Sequence, residues 1–119
     1  MKIGRKASGG RYIQSRKKKH YEMPGQERIV KLGDHKKKTK RMRGGHQKSY
    51  LLKAKSVNVK TKKEIKMVEI KKVLETPSNR FLARQNVLTK GTIIETELGK
   101  VRITNRPSQE GIVNGVLVE

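Results

Sequence analysis

At 119 residues the chain is long enough for one modest hydrophobic core with an extended arm, and too short for two independent domains. Its 31 Lys and Arg against 10 Asp and Glu leave a formal charge of +21, a balance that asks for a polyanionic partner. With no cysteine, disulfides and thiolate metal sites are excluded; no apolar run approaches the roughly 20 residues that cross a bilayer, and the opening MKIGRKASGG lacks the apolar stretch of a secretory signal. A soluble, cytoplasmic protein is expected.

The charge has a direction. Residues 1–50 hold 17 basic and 3 acidic side chains, residues 51–72 hold 8 and 2, and residues 73–119 hold 6 and 5, so a basic head leads a nearly neutral, apolar-rich tail. Within residues 1–26, Gly4, Gly9, Gly10, Pro24 and Gly25 interrupt a segment with little to bury. Ordering backbone costs about 1–2 kcal/mol per residue, so this segment is expected to be an extended basic arm that orders only against nucleic acid. Everything after it, residues 27–119, is expected to form one domain.

Residues 27–43 read ERIVKL, the turn Gly33-Asp34, then HKKKTKRMR, which predicts a basic hairpin over 27–43 with Lys or Arg on both faces of its second strand. After Gly44-Gly45, residues 47–59 (QKSYLLKAKSVNV) lean towards a strand, and residues 60–63 (KTKK) towards an exposed turn. EIKMVEIKKVLE changes its apolar register at Met67-Val68, the mark of a bulge in a strand, although its spacing also tolerates a helix. Thr76-Pro77-Ser78-Asn79 opens a short helix, SNRFLARQ, with Phe81, Leu82 and Ala83 as its apolar side. Beyond it NVLT, TIIETE, KVRITN and IVNGVLVE alternate with turn signals, as in a small antiparallel sheet; IVNGVLV, apolar on both alternations, reads as a central strand covered on each side. The expected fold is mainly β, a small antiparallel barrel-like domain with one short helix and a basic N-terminal extension. Its core is drawn from apolar residues between Val73 and Val118, including Leu74, Phe81, Leu98, Ile112, Val116 and Val118.

Catalytic and metal chemistry find little support. His20, His35 and His46 lie 15 and 11 residues apart, without cysteine partners and among lysines that repel a cation, so no metal or other cofactor is expected. The carboxylates are scattered, and Asp34 belongs to a turn; no enzyme is expected. Phosphate is the natural counter-charge for RKKK and KKKTKRMR. Lys17, Lys18, Lys19, Lys36, Lys37, Lys38 and Lys40 supply point charges, and Arg5, Arg11, Arg16, Arg41, Arg43, Arg80 and Arg84 can fork onto phosphates or stack on bases. Tyr12 and Tyr21 in the basic head are open to stacking or to plain exposure, whereas Tyr50 is expected to pack beside Leu51. Gly44-Gly45 lets the chain turn and also lets backbone approach a phosphate, and Ser8-Gly9-Gly10-Arg11 repeats the pattern in the arm.

Several motifs, taken together in their order, are similar to one family. They are Gly4-Arg5-Lys6 with Ser8-Gly9-Gly10-Arg11, His20-Tyr21-Glu22, Arg43-Gly44-Gly45 with Lys48, Thr76-Pro77-Ser78-Asn79-Arg80, Leu88-Thr89-Lys90-Gly91, Thr96-Glu97-Leu98-Gly99, Arg106-Pro107 with Gln109 and Gly111, and Val113-Asn114. Over nearly its whole length the chain resembles the archaeal form of the S8e family, the eukaryotic-type protein eight of the small ribosomal subunit. It departs from that pattern at His46, Ser108 and Glu110. The resemblance implies a β-barrel-like structural protein without catalysis, bound to small-subunit rRNA and neighbouring ribosomal proteins; no small-molecule substrate and no homo-oligomer are expected, and no membrane partner, since the arm lacks an amphipathic apolar face. Lys6, Lys48, Asn79 and Lys90 join the expected RNA-binding residues on those motifs. The alternative from another class is an architectural, chromatin-type DNA-binding protein, which would bind duplex without a folded RNA.

Overall fold

The computed structural model describes residues 4–13, 15–61 and 64–118. In chain order these hold a 3-10 turn (His20–Glu22), β1 (Lys31–Leu32), β2 (Lys36–Arg41), β3 (Gln47–Ala54), β4 (Ser56–Lys60), β5 (Ile65–Glu75), α1 (Arg80–Arg84), β6 (Ile93–Thr96), β7 (Gly99–Ile103) and β8 (Asn114–Leu117). The expected mainly-β class holds, with a closed barrel of order β4-β5-β6-β7-β8 and a separate three-stranded sheet of order β1-β3-β2.

The barrel is not purely antiparallel. Five strands that follow one another up and down leave the first and the last pointing the same way, so closure can only be parallel. β4 accordingly meets β8 in parallel, with Asn58 opposite Asn114 and Val59 opposite Gly115, while the other four pairs are antiparallel. Closing the ring removes the free sheet edges that an open sheet would leave for aggregation.

Inside the barrel the strands deliver Val57, Val59, Val68, Ile70, Val73, Ile94, Val101 and Ile103 to one core, joined by Val30, Leu51, Ala54, Leu88 and Val113 from outside its strands. The interior is narrow at Gly115. A Cβ there would collide with Val101 Cγ1 and lie 3.1 Å from the Arg102 carbonyl oxygen, so any larger residue forces β7 and β8 apart.

Because a closed barrel has one inside, β8 is covered on a single face: Gly115 is buried, while Ile112, Val116 and Val118 face solvent, correcting the expectation of a strand covered on both sides. Leu74, Phe81 and Leu98 are likewise exposed rather than core. The expected bulge at Met67-Val68 also moves. β5 pairs regularly with β4 from Ile65 to Glu69, its register slips come after Ile70 and after Val73, and Ile65 and Met67 stand on the outer wall.

The hairpin expected over 27–43 gives way to a different pairing. β1 does not pair with β2; it runs parallel to β3, Lys31 beside Lys53 and Leu32 beside Ala54, and the hairpin is β2–β3, antiparallel across Met42–His46. The cause is tertiary: Val30 enters the core, its carbonyl accepts from Leu88 N–H at 2.8 Å, and Leu32 N–H donates to the Asn86 carbonyl at 2.9 Å, pulling β1 towards the barrel. The single strand expected over 47–59 divides at Lys55, where the chain leaves the sheet and enters the barrel. In the turn expected at 60–63, Lys62 and Lys63 lie outside the described residues; Thr61 and Glu64 on either side are bonded, N–H to carbonyl, at 2.9 Å.

The helix forms behind the Thr76-Pro77-Ser78-Asn79 opening with Asn79 as its cap, the Asn79 side-chain oxygen accepting from Phe81 N–H at 3.0 Å. Asn86 ends the connection at φ 52°, a left-handed conformation that Asn tolerates better than most residues. Thr76 is buried with Thr92, their hydroxyls 3.5 Å apart.

Candidate nucleic-acid interface

The three-stranded sheet gathers most of the sequence-predicted residues. β2 is Lys-Lys-Lys-Thr-Lys-Arg with every residue exposed, so its stability comes from pairing with β3 rather than from burial. The register then sets like charge against like charge. Lys31, Lys53 and Lys36 are neighbours across the three strands, and Lys40 stands opposite Lys48. Adjacent strands are about 4.8 Å apart, and like charges directly opposite one another destabilise a sheet. Among the described residues no residue of β2 is ion-paired, whereas the barrel pairs Lys55 with Glu69 (3.1 Å), Lys72 with Glu95 (3.2 Å) and Lys66 with Glu64 (3.5 Å).

The hairpin tip turns through Gly44 and Gly45 at φ 84° and 87°, with Met42 N–H donating to the His46 carbonyl at 2.7 Å. Both positive φ values require residues without Cβ, so the turn itself accounts for the paired glycines. Arg41 and Arg43 flank this tip, and the Arg43 guanidinium lies 5.5 Å from the centre of the Tyr21 ring. Farther down, Arg28 stacks on Tyr50 at 3.9 Å. Segment 21–32 thus runs alongside β3 from tip to base, and Tyr50 packs beneath an arginine rather than against the barrel.

The sheet is fastened to the barrel by the loop between β7 and β8. Leu51 N–H donates to the Pro107 carbonyl at 3.1 Å, Lys48 Nζ donates to Gln109 Oε1, and the end of the Lys37 side chain crosses directly over Gly111, so that a Cβ there would displace it. Asn105 braces the same loop, its amide donating to Glu110 Oε2 (2.9 Å) and to the Ile112 carbonyl (2.8 Å). Glu110, a departure from the family pattern, therefore has a holding role. Lys48 and Lys37 serve docking as well as charge.

Other sequence-predicted residues have local partners. Arg16 grips Glu22 with both terminal nitrogens at 2.7 and 2.6 Å, and Lys19 N–H donates to the same carboxylate at 2.9 Å. These bonds hold the Glu22 carboxyl below its ordinary range, the Arg16 hydrogen bond first, then the Lys19 N–H and the charge of Lys18; in return the Arg16 guanidinium is raised by Glu22. Lys17, Lys18 and Lys19 remain exposed around this closed turn. Arg5 and Arg11 bridge across the turn that contains Gly9 and Gly10, Arg5 Nη1 donating to the Gly9 carbonyl at 3.0 Å, with Lys6 Nζ 5.8 Å from the Tyr12 ring. Asn79, Arg80 and Arg84 belong to α1, which packs beside β5, and Lys90 sits in the turn before β6. These four are not brought into the three-stranded sheet. Sequence reasoning missed Lys31, Lys53 and Arg28, whose only signal was that ERIVKL and β3 share a sheet, and missed Phe81 as an exposed aromatic.

A strongly basic small-barrel protein, carrying rows of facing lysines on an appended sheet, is the class that this architecture defines. The profile of the ribosomal protein S8e family matches residues 1–118. The chain is 45% identical over 114 residues to small ribosomal subunit protein eS8 of Nanoarchaeum equitans, covering 94% of this chain and 90% of that one. It is 43% identical over 117 residues to the protein of the same name from Methanocorpusculum labreanum, covering 97% and 94%. The chain belongs to the ribosomal protein S8e family, and with it to structural ribosomal proteins rather than to enzymes.

Proposed function

We propose that the chain is a cytoplasmic structural constituent of the small ribosomal subunit that binds and stabilises small-subunit rRNA through its basic arm, the β2–β3 sheet and one face of the barrel. The observation that carries this reading is the pair of lysine rows, Lys31/Lys53/Lys36 and Lys40/Lys48. A free protein gains nothing from repulsive rows; phosphates passing over them neutralise the charge and release condensed counterions. The extended shape supports the same reading. The radius of gyration is 18.5 Å, against about 13.5 Å for a compact chain of this length, and it suits a molecule that spreads its surface over a partner.

Among the described residues of 1–26 the hydrogen bonds are local and no side chain is buried, with Tyr21 beside Arg43 as the contact to the sheet, which supports an arm that finds its final order on rRNA. The outer barrel wall has a different character. Ile65 and Met67 are 71% and 75% exposed, and Lys60 of β4 stands between Ile65 and Val116, so this wall mixes apolar side chains with a single charge where the sheet presents rows of lysines.

Titrating the protein with a small-subunit rRNA transcript and, separately, with duplex DNA of equal length at several salt concentrations tests the proposal. Preference for the transcript, with log affinity falling steeply against log salt, is the expected outcome; equal or tighter binding to duplex DNA together with absence from small-subunit particles would instead make this an architectural DNA-binding protein.

A further inference from the structure

The chain has one phenylalanine, and the fold does not bury it. α1 is anchored to the barrel by its other apolar residues: Ala83 packs against the core, Leu82 is partly buried, and the Leu82 carbonyl accepts from Val87 N–H at 3.1 Å. Phe81 stays 54% exposed between two arginines, with the Arg80 and Arg84 guanidinium carbons 5.4 and 6.0 Å from its ring centre. Neither arginine has a carboxylate within ion-pair distance among the described residues. The contrast with Tyr50 is instructive. There Arg28 lies at 3.9 Å, and the ring is only partly exposed; around Phe81 the arginines stand farther off and the ring remains more open.

We propose that Phe81, with Arg80 and Arg84, is a stacking platform for a single unpaired nucleobase of the bound RNA. This rests on the rRNA-binding reading and adds to it a ligand class and a place. A phenyl ring has no hydrogen-bonding group with which to read base identity, but it offers a π-face that any base can cover, and arginines beside it can stack on that base or fork onto its flanking phosphates. A base still stacked in a duplex has no free face, so the occupant is a looped-out, bulged or terminal nucleotide. The mount is rigid at both ends. Asn79 caps the Phe81 N–H, and Asn86, through its carbonyl to Leu32 N–H and its Oδ1 to Val73 N–H at 3.4 Å, ties the end of the helical segment to β1 and β5. A platform held this way keeps its orientation while the base docks.

The chain contains no tryptophan, which makes the test direct. In the full-length Phe81→Trp variant the single indole should be quenched on addition of a small-subunit rRNA transcript, and not on addition of duplex RNA of matching length. Phe81→Ala should weaken transcript binding roughly 5- to 150-fold without changing the salt slope. Phe81→Leu, which keeps apolar bulk but removes the π-face, should lose a similar amount, while all three variants melt as the parent does. Leucine restoring parental affinity, or an indole unquenched at saturating transcript, overturns the platform while the rRNA-binding reading stands. Failure of the parent protein to bind the transcript at all would remove both.

Discussion

The barrel and the three-stranded sheet are built on opposite principles from one chain. The barrel pairs three of its lysines with glutamates, points its apolar side chains into one interior and closes its edges; the sheet leaves lysines facing lysines, buries little besides Leu51 and Ala54, and keeps β2 exposed on both faces. One region is complete by itself, and the other is complete only with counter-charge. Stability should therefore reside in the barrel and affinity in the sheet, and substitutions can separate the two.

The largest effect should come from the barrel interior. Ile94 is fully buried, so Ile94→Ala should lower stability by about 2–5 kcal/mol in a denaturant melt, with the hairpin turn signals disappearing at the same midpoint because Leu51 shares that core. Two separate transitions would break the picture of one core supporting both regions. At the next level lies the junction at Asn86. Asn86→Ala must hold φ 52° with a residue that disfavours it and loses the acceptor for Val73 N–H, a cost of about 1–2 kcal/mol, while Asn86→Gly should stay close to the parent; equal losses in both would assign the effect to the lost hydrogen bond.

The sheet should behave in the opposite sense. Lys53→Gln removes the middle charge of the Lys31/Lys53/Lys36 row, so the free protein should gain about 0.2–1 kcal/mol in stability. The same substitution should flatten the salt dependence of rRNA affinity by about 0.7–0.9 in slope, the mark of one lost phosphate contact. A loss of stability here would remove the claim that this row is repulsive in the free protein.

The smallest effect concerns acid. Because the Glu22 carboxyl is held below its ordinary range, the Arg16–Glu22 turn is fully supported above the ordinary carboxylate pKa and is released as pH falls through the lowered value. Carboxyl NMR shifts of Glu22 should follow this local release while the melting temperature reports no matching step, since the pair is exposed and touches no core.

Much of this organisation could be read from residue order, and some of it could not. Gly33-Asp34 and Gly44-Gly45 are both sound turn signals, and both do turn; local reading cannot tell which of them joins two paired strands. That was decided by Val30 entering the core and by the Leu32 to Asn86 bond, across a separation of more than fifty residues. Likewise NRFLARQ shows that a helix forms, but not that Leu82 and Ala83 suffice to seat it and leave Phe81 outside.

What the sequence by itself determined is the division of labour. Seventeen basic residues in the first fifty and a tail of alternating apolar runs dictate a charged head and a β core, because charge density and hydrophobic period are local properties. Only the tertiary structure decided which lysines stand side by side, which loop fastens the sheet, and which apolar residues face outward. Those depend on register and closure: one residue of slip moves a side chain to the other face, and a ring of five strands has only one inside.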